Sequence, residues 1–306
     1  MSLKVFLELK VFLELIEVKA KAASLLPFLL GVGYSIWYYH SFDWRVMLVF
    51  LIAMLLFNMA VDVMDNYNDY RHAVDTEVYQ QKTNIIGREQ LSLPAMRCLI
   101  AGMVLIASLL GIWLVAQVGW PLLGMGIFCF LVGIFYSFGP YPLSGLPVGE
   151  FFAGFTMGFM IVLITIYLNV QEQFSWDWPS LGRILVLAMP LELWISNLLL
   201  ANNLCDAAED LRNHRHTIVR LLGKRACLIA FSVKNVLAFL FITISPFFHV
   251  SPFTVILSLL IVPFVFKQNK MLIKRQVKNE TFICAVRILM VGGATQVLTY
   301  LIGMVL

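Results

Sequence analysis

The chain has 306 residues, of which 60% are hydrophobic and only 13% are charged. Soluble domains contain about 45–50% apolar and about 25% charged residues, so this composition excludes an ordinary soluble protein. The apolar runs have the length of a membrane-spanning helix, about 20 residues, which excludes the short alternating strands of a membrane barrel. We therefore predict an all-α integral membrane protein, a bundle of about nine transmembrane helices.

The first 18 residues contain a tandem repeat. Leu3–Glu8 and Leu9–Glu14 both read LKVFLE. The glutamates and the lack of a small-residue cleavage site argue against a signal peptide. We expect residues 1–18 to form an amphipathic extension on the cytosolic membrane surface, followed by a single transmembrane domain over residues 19–306.

Nine apolar stretches follow the extension, and the joint between the third and fourth is tight because Gly119 and Pro121 stand there. The predicted spans are 22–39, 45–64, 95–117, 119–138, 150–169, 183–203, 226–245, 252–268 and 283–305.

The basic residues give the orientation of these spans. With the N-terminus inside, all of the 22 lysines and arginines fall on cytosolic segments except Arg45, Arg183 and Lys234. Cytosolic segments of membrane proteins carry an excess of lysine and arginine. We therefore expect a multi-pass cell-membrane protein with its N-terminus in the cytoplasm.

The second span runs into a cluster of acidic and amide side chains. Asn58, Asp62, Asn66 and Asp69 are spaced so that they share one helical face, and Asp65 flanks that face. Carboxylates beside the hydrocarbon region are costly unless they are paired, bind a metal or face a wet cavity.

A similar cluster follows the sixth span, where Asn202, Asp206 and Asp210 are spaced four residues apart. Both clusters lie on the cytosolic side by the charge pattern. Asp and Asn oxygens without histidine or cysteine clusters favour Mg²⁺, which binds few protein ligands and completes its shell with water and phosphate oxygens. The two clusters therefore predict a magnesium site for a phosphorylated substrate.

Basic residues follow each cluster and indicate how uncovered phosphate oxygens are neutralised. Arg71 and Lys82 come after the first cluster, and Arg212 comes after the second. Ordinary cytosolic anchoring is the alternative interpretation of these residues.

At these motifs the chain resembles the UbiA superfamily of intramembrane prenyltransferases, whose first motif is broadly NxxxDxxxD and whose second is DxxxD. Asn58 and Asp62 fit the first motif, but Asn66 occupies its third position, which leaves that metal role to Asp65 or Asp69. Asp206 and Asp210 fit the second motif.

Within the superfamily the chain is most similar to the 1,4-dihydroxy-2-naphthoate polyprenyltransferases of menaquinone synthesis. The matching stretches are 22–28, 136–143 with Gly149 and Glu150, and the second motif with Thr217; His214, His216 and Ala73 depart from the pattern. The resemblance implies transfer of a polyprenyl group from polyprenyl diphosphate to 1,4-dihydroxy-2-naphthoate, with loss of CO₂ and diphosphate, giving demethylmenaquinone.

The resemblance implies that the protein works in a lipid bilayer and has no nucleic-acid partner. It also implies roles for individual residues. Tyr136 either shields positive charge with its ring or simply lies at the membrane interface, and Glu150 either contacts the acceptor or has a structural role. We do not place Glu192 or Lys234 in the site.

The expected site residues fall into three groups. The expected catalytic residues are Asp62, Asp206, Asp210 and Asn58, and the expected metal ligands are Asp62, Asp65, Asp69, Asp206 and Asp210. The expected substrate contacts are Asn66, Asp69, Arg71, Lys82, Tyr136, Glu150, Asn202 and Arg212.

Two alternatives remain open. One is a prenyltransferase of the same type with another aromatic acceptor, either 4-hydroxybenzoate or haem. The other is a membrane transporter, which polar residues inside spans can indicate. A transporter is disfavoured because the acidic clusters stand at one face of the membrane rather than at mid-depth.

Overall fold

A computed structural model describes residues 3–73, 79–139, 141–213 and 215–306. Every regular element in these residues is helical, and none of them forms a strand. Eight helices are long and apolar enough to cross a membrane, and they correspond to the second through ninth predicted spans. The first predicted span forms a helix of 18 residues, Ala22–Tyr39, which is not among these eight. The prediction of an all-α multi-pass membrane protein is confirmed.

Thirteen α-helices are present in the described residues, together with short 3-10 or π segments. The helices are α1 (Leu3–Leu15), α2 (Ala22–Tyr39), α3 (Trp44–His72), α4 (Ile85–Arg88), α5 (Leu93–Val118), α6 (Trp120–Ser137), α7 (Gly149–Gly154), α8 (Ile161–Val170), α9 (Trp178–Cys205), α10 (Ala207–Arg212), α11 (Ile218–Ile244), α12 (Val262–Lys274) and α13 (Lys278–Val305). The short segments are Val18–Lys21, Tyr79–Thr83, Leu143–Gly145, Phe155–Met160, Ser245–Phe248 and Phe253–Ile261.

The chain divides into two compact units. The first unit contains Met1–Lys21 and Leu48–Leu143, and the second unit contains Ala22–Met47 and Ser144–Leu306. Whether residues 1–18 and 19–306 behave as an extension and a single domain stays a prediction.

In the first unit, α3 continues well past the predicted span 45–64. At 1.5 Å per residue its 29 residues extend about 43 Å, which exceeds the hydrocarbon thickness of about 30 Å. The acidic motif lies in the last four turns of this helix. One continuous helix therefore both crosses the apolar layer and presents the motif near its end.

The end of α1 is part of the folded first unit. Leu15 and Ile16 are 3% and 5% exposed and pack in one hydrophobic cluster with Val63 of α3 and Ile86 of α4. The earlier Phe12 is 39% exposed. Apolar burial therefore holds the end of the N-terminal helix beside the helix that carries the first motif.

The joint between α5 and α6 has the predicted tight form. Gly119 has a φ of +92°, which an L-residue with a side chain rarely adopts, and Pro121 stands in the first turn of α6. The glycine lets the chain reverse in one residue.

In the second unit, α9 packs against α7, α11 and α13. Small residues allow the closest approach. A Cβ atom added at Gly158 would lie 2.4 Å from the Cα of Glu192, and one added at Gly154 would lie 2.7 Å from the Glu192 carbonyl oxygen. This small-xxx-small spacing brings α7 and the π segment after it directly against α9 at Glu192, about three turns before the second motif begins.

Candidate functional site

The first motif lies on the unbroken helix α3, as predicted. Asn58 and Asp62 stand one turn apart, and both are partly buried. The Lys21 ammonium donates hydrogen bonds to Asn58 Oδ1 and Asp62 Oδ2. This NxxxD pair therefore holds a cation from the chain itself.

Lys21 was not among the predicted site residues. It is the last residue of the segment Val18–Lys21 and is only 6% exposed. The sequence marks it only as one of several basic residues that are predicted to be cytosolic. Its partner Asn58 is 37 positions away, and no local pattern connects the two.

Asp65 is connected to the end of α6. The Ser137 hydroxyl donates a 2.8 Å hydrogen bond to Asp65 Oδ1, and the Asn68 amide donates to the Ser137 carbonyl. The adjoining Tyr136, a predicted substrate contact, is half-buried. Ser137, which was not among the predicted site residues, therefore orients one predicted metal ligand.

Asn66 uses its amide nitrogen to hold the backbone. Its Nδ2 donates to the Asp62 carbonyl at 3.1 Å and to the Leu15 carbonyl at 3.4 Å, while its own carbonyl accepts from Asn84 Nδ2 at 3.0 Å. These bonds explain why an amide rather than a carboxylate suits this position of the motif, since an ionised carboxylate cannot donate.

The remaining predicted residues of the first unit lie around the end of α3. Asp69 is half-buried, and Arg71 is exposed with its guanidinium carbon 5.9 Å from the centre of the Tyr67 ring. Lys82 is exposed in the segment Tyr79–Thr83. Both cations are accessible to a phosphorylated ligand.

The second motif does not lie on one unbroken helix, although its residues are spaced four apart. Helix α9 ends at Cys205, Asp206 is the boundary residue, and Asp210 lies on the short helix α10. The Lys278 ammonium, at the first residue of α13, donates to Asn202 Oδ1 and Asp206 Oδ2. A second NxxxD pair therefore also holds a lysine ammonium, and this lysine too was missed in the sequence.

Asp210 is 5% exposed, and its two oxygens have different surroundings. Oδ1 lies 3.5 Å from Arg215 Nε, while Oδ2 has no hydrogen-bond partner in the described part of the chain. Burial raises the pKa of the Asp210 carboxyl from 3.8 to about 6, although the Arg215 charge opposes the shift. A cavity of about 270 Å³ borders Asp210 together with Thr217 and Lys224, and Arg212 is exposed.

Glu150, the predicted acceptor contact, is 3% exposed at the start of α7. Its Oε1 accepts a 2.8 Å hydrogen bond from Asn203 Nδ2. Asn203 directly follows Asn202 on α9, so Glu150 lies next to the second motif. The sequence contains Asn203 in the run that carries the family resemblance, but no local pattern indicates its contact with Glu150.

The donor chemistry of both motifs fits Mg²⁺. Each NxxxD pair directs one amide oxygen and one carboxylate oxygen at a cation, and Asp210 keeps a buried oxygen without a partner. Among the described residues no group of three or more histidine, cysteine or acidic side chains forms a metal cluster. Magnesium binds through one or two carboxylates together with water and phosphate oxygens, and the oxygen donors of the two pairs match this chemistry.

Comparison with known proteins decides the family. A sequence model described as the UbiA prenyltransferase family matches residues 24–291. The chain belongs to this family. It is therefore a UbiA-type prenyltransferase of the membrane, and the predicted resemblance is confirmed.

Among curated proteins, this chain is similar to the 1,4-dihydroxy-2-naphthoate octaprenyltransferase of Bacillus subtilis (strain 168), with 26% identity over 220 residues. The matched residues cover 72% of this chain and 68% of that protein. Among solved structures this chain resembles a UbiA homologue from Aeropyrum pernix K1, with a TM-score of 0.69, 17% identity and coverage of 92% and 98% of the two chains. It also resembles a UbiA homologue from Archaeoglobus fulgidus bound to GPP and Mg²⁺, with a TM-score of 0.65, 10% identity and coverage of 94% and 99%. These structural likenesses establish the shared fold.

Proposed function

We propose that this prenyltransferase moves a polyprenyl group from polyprenyl diphosphate to 1,4-dihydroxy-2-naphthoate, with loss of CO₂ and diphosphate, to give demethylmenaquinone in its reduced form. The observation that carries the proposal is the repeated NxxxD pair, Asn58 with Asp62 and Asn202 with Asp206, each of which binds a cationic group. The name of the Bacillus subtilis relative supports the acceptor, and the GPP and Mg²⁺ bound to the Archaeoglobus fulgidus homologue support the donor and the metal.

The proposed cofactor is Mg²⁺. When bound, it would neutralise the charge that grows on the diphosphate as the allylic C–O bond breaks. Asn58 and Asn202 would contribute amide oxygens beside it. The proposed metal ligands are Asp62, Asp65, Asp69, Asp206 and Asp210.

The residues near the motifs would bind the rest of the substrates. Arg71, Lys82 and Arg212 are exposed and cationic, so they would attract the diphosphate. Asn66, Asp69 and Asn202 stand within the motifs and would border it. Tyr136 would lie beside the allylic carbon, where its ring stabilises positive charge.

The acceptor would lie beside Glu150. The electron-rich ring attacks the allylic carbon while the bond to diphosphate breaks, and the carboxyl group then leaves as CO₂. The apolar prenyl tail would lie among the membrane-spanning helices. We place the reaction at the cytosolic face of the cell membrane, because the basic segments beside both motifs favour that side.

The decisive test is a membrane assay with radiolabelled polyprenyl diphosphate, offered 1,4-dihydroxy-2-naphthoate or 4-hydroxybenzoate in separate reactions. We expect labelled product only with the naphthoate, and its loss when EDTA removes the divalent ions. Labelled product only with hydroxybenzoate would contradict the proposed acceptor. Uptake of substrate by sealed vesicles without any transfer would favour a transporter.

A further inference from the structure

Two hydrogen-bonded polar pairs lie inside the second unit, where α7 and α11 both pack against α9, and we name their four residues the interior polar cluster: Glu150 on α7, Ser196 and Asn203 on α9, and Lys234 on α11. The Lys234 ammonium donates a 2.7 Å hydrogen bond to the Ser196 hydroxyl. Asn203 Nδ2 donates a 2.8 Å hydrogen bond to Glu150 Oε1. The cluster therefore contains one cation and one carboxyl group on membrane-spanning helices, where ionisable residues are costly and mark functional positions.

The cluster is not satisfied by its own hydrogen bonds. Glu150 and Asn203 are 3% and 1% exposed, yet Glu150 Oε2 and Asn203 Oδ1 have no hydrogen-bond partner among the described residues. Buried acceptors without donors are uncommon in folded proteins and are costly. Two adjacent side chains therefore offer acceptor oxygens to a group that the chain itself does not provide.

Lys234 makes one side-chain hydrogen bond to the described residues of the cluster. An ammonium group carries three N–H bonds, and Ser196 takes one of them. No ion pair within 4.0 Å joins Lys234 to Glu150 in the described structure. The Lys234 ammonium therefore does not pair directly with the Glu150 carboxyl group.

The cluster adjoins the second NxxxD pair. Asn203 is the immediate neighbour of Asn202, whose side chain is bridged to Asp206 by Lys278. Ser196 precedes Asn203 by about two turns of α9. A molecule held by the cluster would therefore lie directly beside the proposed diphosphate-binding residues.

We propose that the interior polar cluster selects aromatic acceptors that carry a carboxylate, with Lys234 Nζ pairing with that carboxylate and Glu150 Oε2 accepting from a ring hydroxyl. This inference rests on the proposed function, in which the acceptor is a hydroxy-naphthoate. An aromatic ring with a hydroxyl beside a carboxylate presents one donor and one anion on adjacent carbons. This polarity matches the acceptors on Glu150 and Asn203 and the cation on Lys234.

The test compares two probes that differ only by the carboxylate, 1-hydroxy-2-naphthoate and 1-naphthol. Their dissociation constants are measured on the purified full chain in detergent, without polyprenyl diphosphate. We expect the unmodified protein to prefer the carboxylate probe by about tenfold or more, because a charge-assisted hydrogen bond is lost with 1-naphthol. Lys234→Met should bring the preference to within about twofold, and Lys234→Arg should restore most of it.

Lys270→Met is the matched control, since Lys270 is an exposed lysine of the second unit, on α12, away from the cluster and both motifs. It should keep the full preference. Thermal unfolding of each variant in detergent verifies that the fold is retained. Retention of the carboxylate preference by folded Lys234→Met would overturn the inference.

The same preparations are assayed for transfer to 1,4-dihydroxy-2-naphthoate, which separates the two proposals. Naphthoate-dependent transfer together with an unchanged preference in Lys234→Met would leave the proposed function standing and overturn the role of Lys234. Absence of naphthoate-dependent transfer would contradict the proposed function. The loss of preference in Lys234→Met would in that case still support a carboxylate-binding role for Lys234.

Discussion

In the first unit Lys21 bridges Asn58 and Asp62 on an unbroken helix, whereas in the second unit Lys278 bridges Asn202 and Asp206 where α9 ends. The exposed fractions differ as well. The Lys21 side chain is 8% exposed and that of Lys278 is 44% exposed, although Asp62 and Asp206 are both 19% exposed.

The difference in burial implies that the two lysine–aspartate ion pairs contribute unequally to the free energy of folding. Removing one partner of a buried ion pair leaves an uncompensated charge, while an exposed cation is screened by solvent. The first pair is therefore built into the fold, and the second is closer to a surface contact. Both still direct the same two oxygen types at a cation.

The largest expected effect is common to both units and tests whether the two motifs are equivalent in function. Asp62→Ala and Asp206→Ala should each lower prenyl transfer by about 100-fold or more, because each removes a carboxylate that would stabilise the leaving diphosphate. The measurement is product formation in membranes with radiolabelled donor. Glu172→Ala, an exposed acidic residue outside the motifs, serves as the control. Full activity in either motif variant would remove that aspartate from the site.

The next largest effect is a loss of stability that should differ between the two units. Lys21→Met should lower the free energy of unfolding by about 3–5 kcal/mol, because it leaves Asp62 without its buried partner. Lys278→Met should lower it by only about 0–1 kcal/mol, because 44% of that lysine side chain is exposed and solvent screens its charge. Thermal unfolding in metal-free detergent at pH 7.5 measures both. Equal destabilisation would show that burial does not distinguish the two pairs.

Asp210 gives a pH-dependent comparison within the second unit. Its carboxyl ionises near pH 3.8 when unfolded and near pH 6 when folded, so the folded state loses stability as the pH rises between these values. The loss is complete above about pH 6 and amounts to about 3 kcal/mol at most. In metal-free buffer Asp210→Asn should therefore be more stable than the unmodified protein at pH 8, with the gain vanishing below pH 4. A gain that does not change with pH would contradict the assigned shift.

The smallest expected effect concerns the first unit. Ser137→Ala removes the hydrogen bond to Asp65 and should cost about 1.5 kcal/mol, since the acceptor is a carboxylate. Ser108, whose hydroxyl bonds to the carbonyl of Val104 on its own helix, provides the control substitution Ser108→Ala. Thermal unfolding should show a clear shift for Ser137→Ala and a smaller one for the control. Equal shifts would mean that the contact with Asp65 contributes little.

Much of the architecture was predictable because it depends on local properties of the chain. Apolar length predicted the eight membrane-spanning helices of the described residues and the helix Ala22–Tyr39, and the Asn58 and Asp62 spacing correctly predicted one shared helical face. The same spacing was misleading for Asn202, Asp206 and Asp210, because α9 ends at Cys205. Spacing by itself does not say where a helix stops.

The sequence by itself determined the membrane class, the helices and the residue types of the two motifs, because hydrophobicity, helical periodicity and the chemistry of oxygen donors act over neighbouring residues. Only the tertiary structure decided which cation each motif holds, that Ser137 orients Asp65, and that Lys234 and Glu150 share one interior cluster. The physical reason is that these partners are separated by tens of residues along the chain. Packing alone brings such side chains into contact, and their burial then determines how strongly their charges interact.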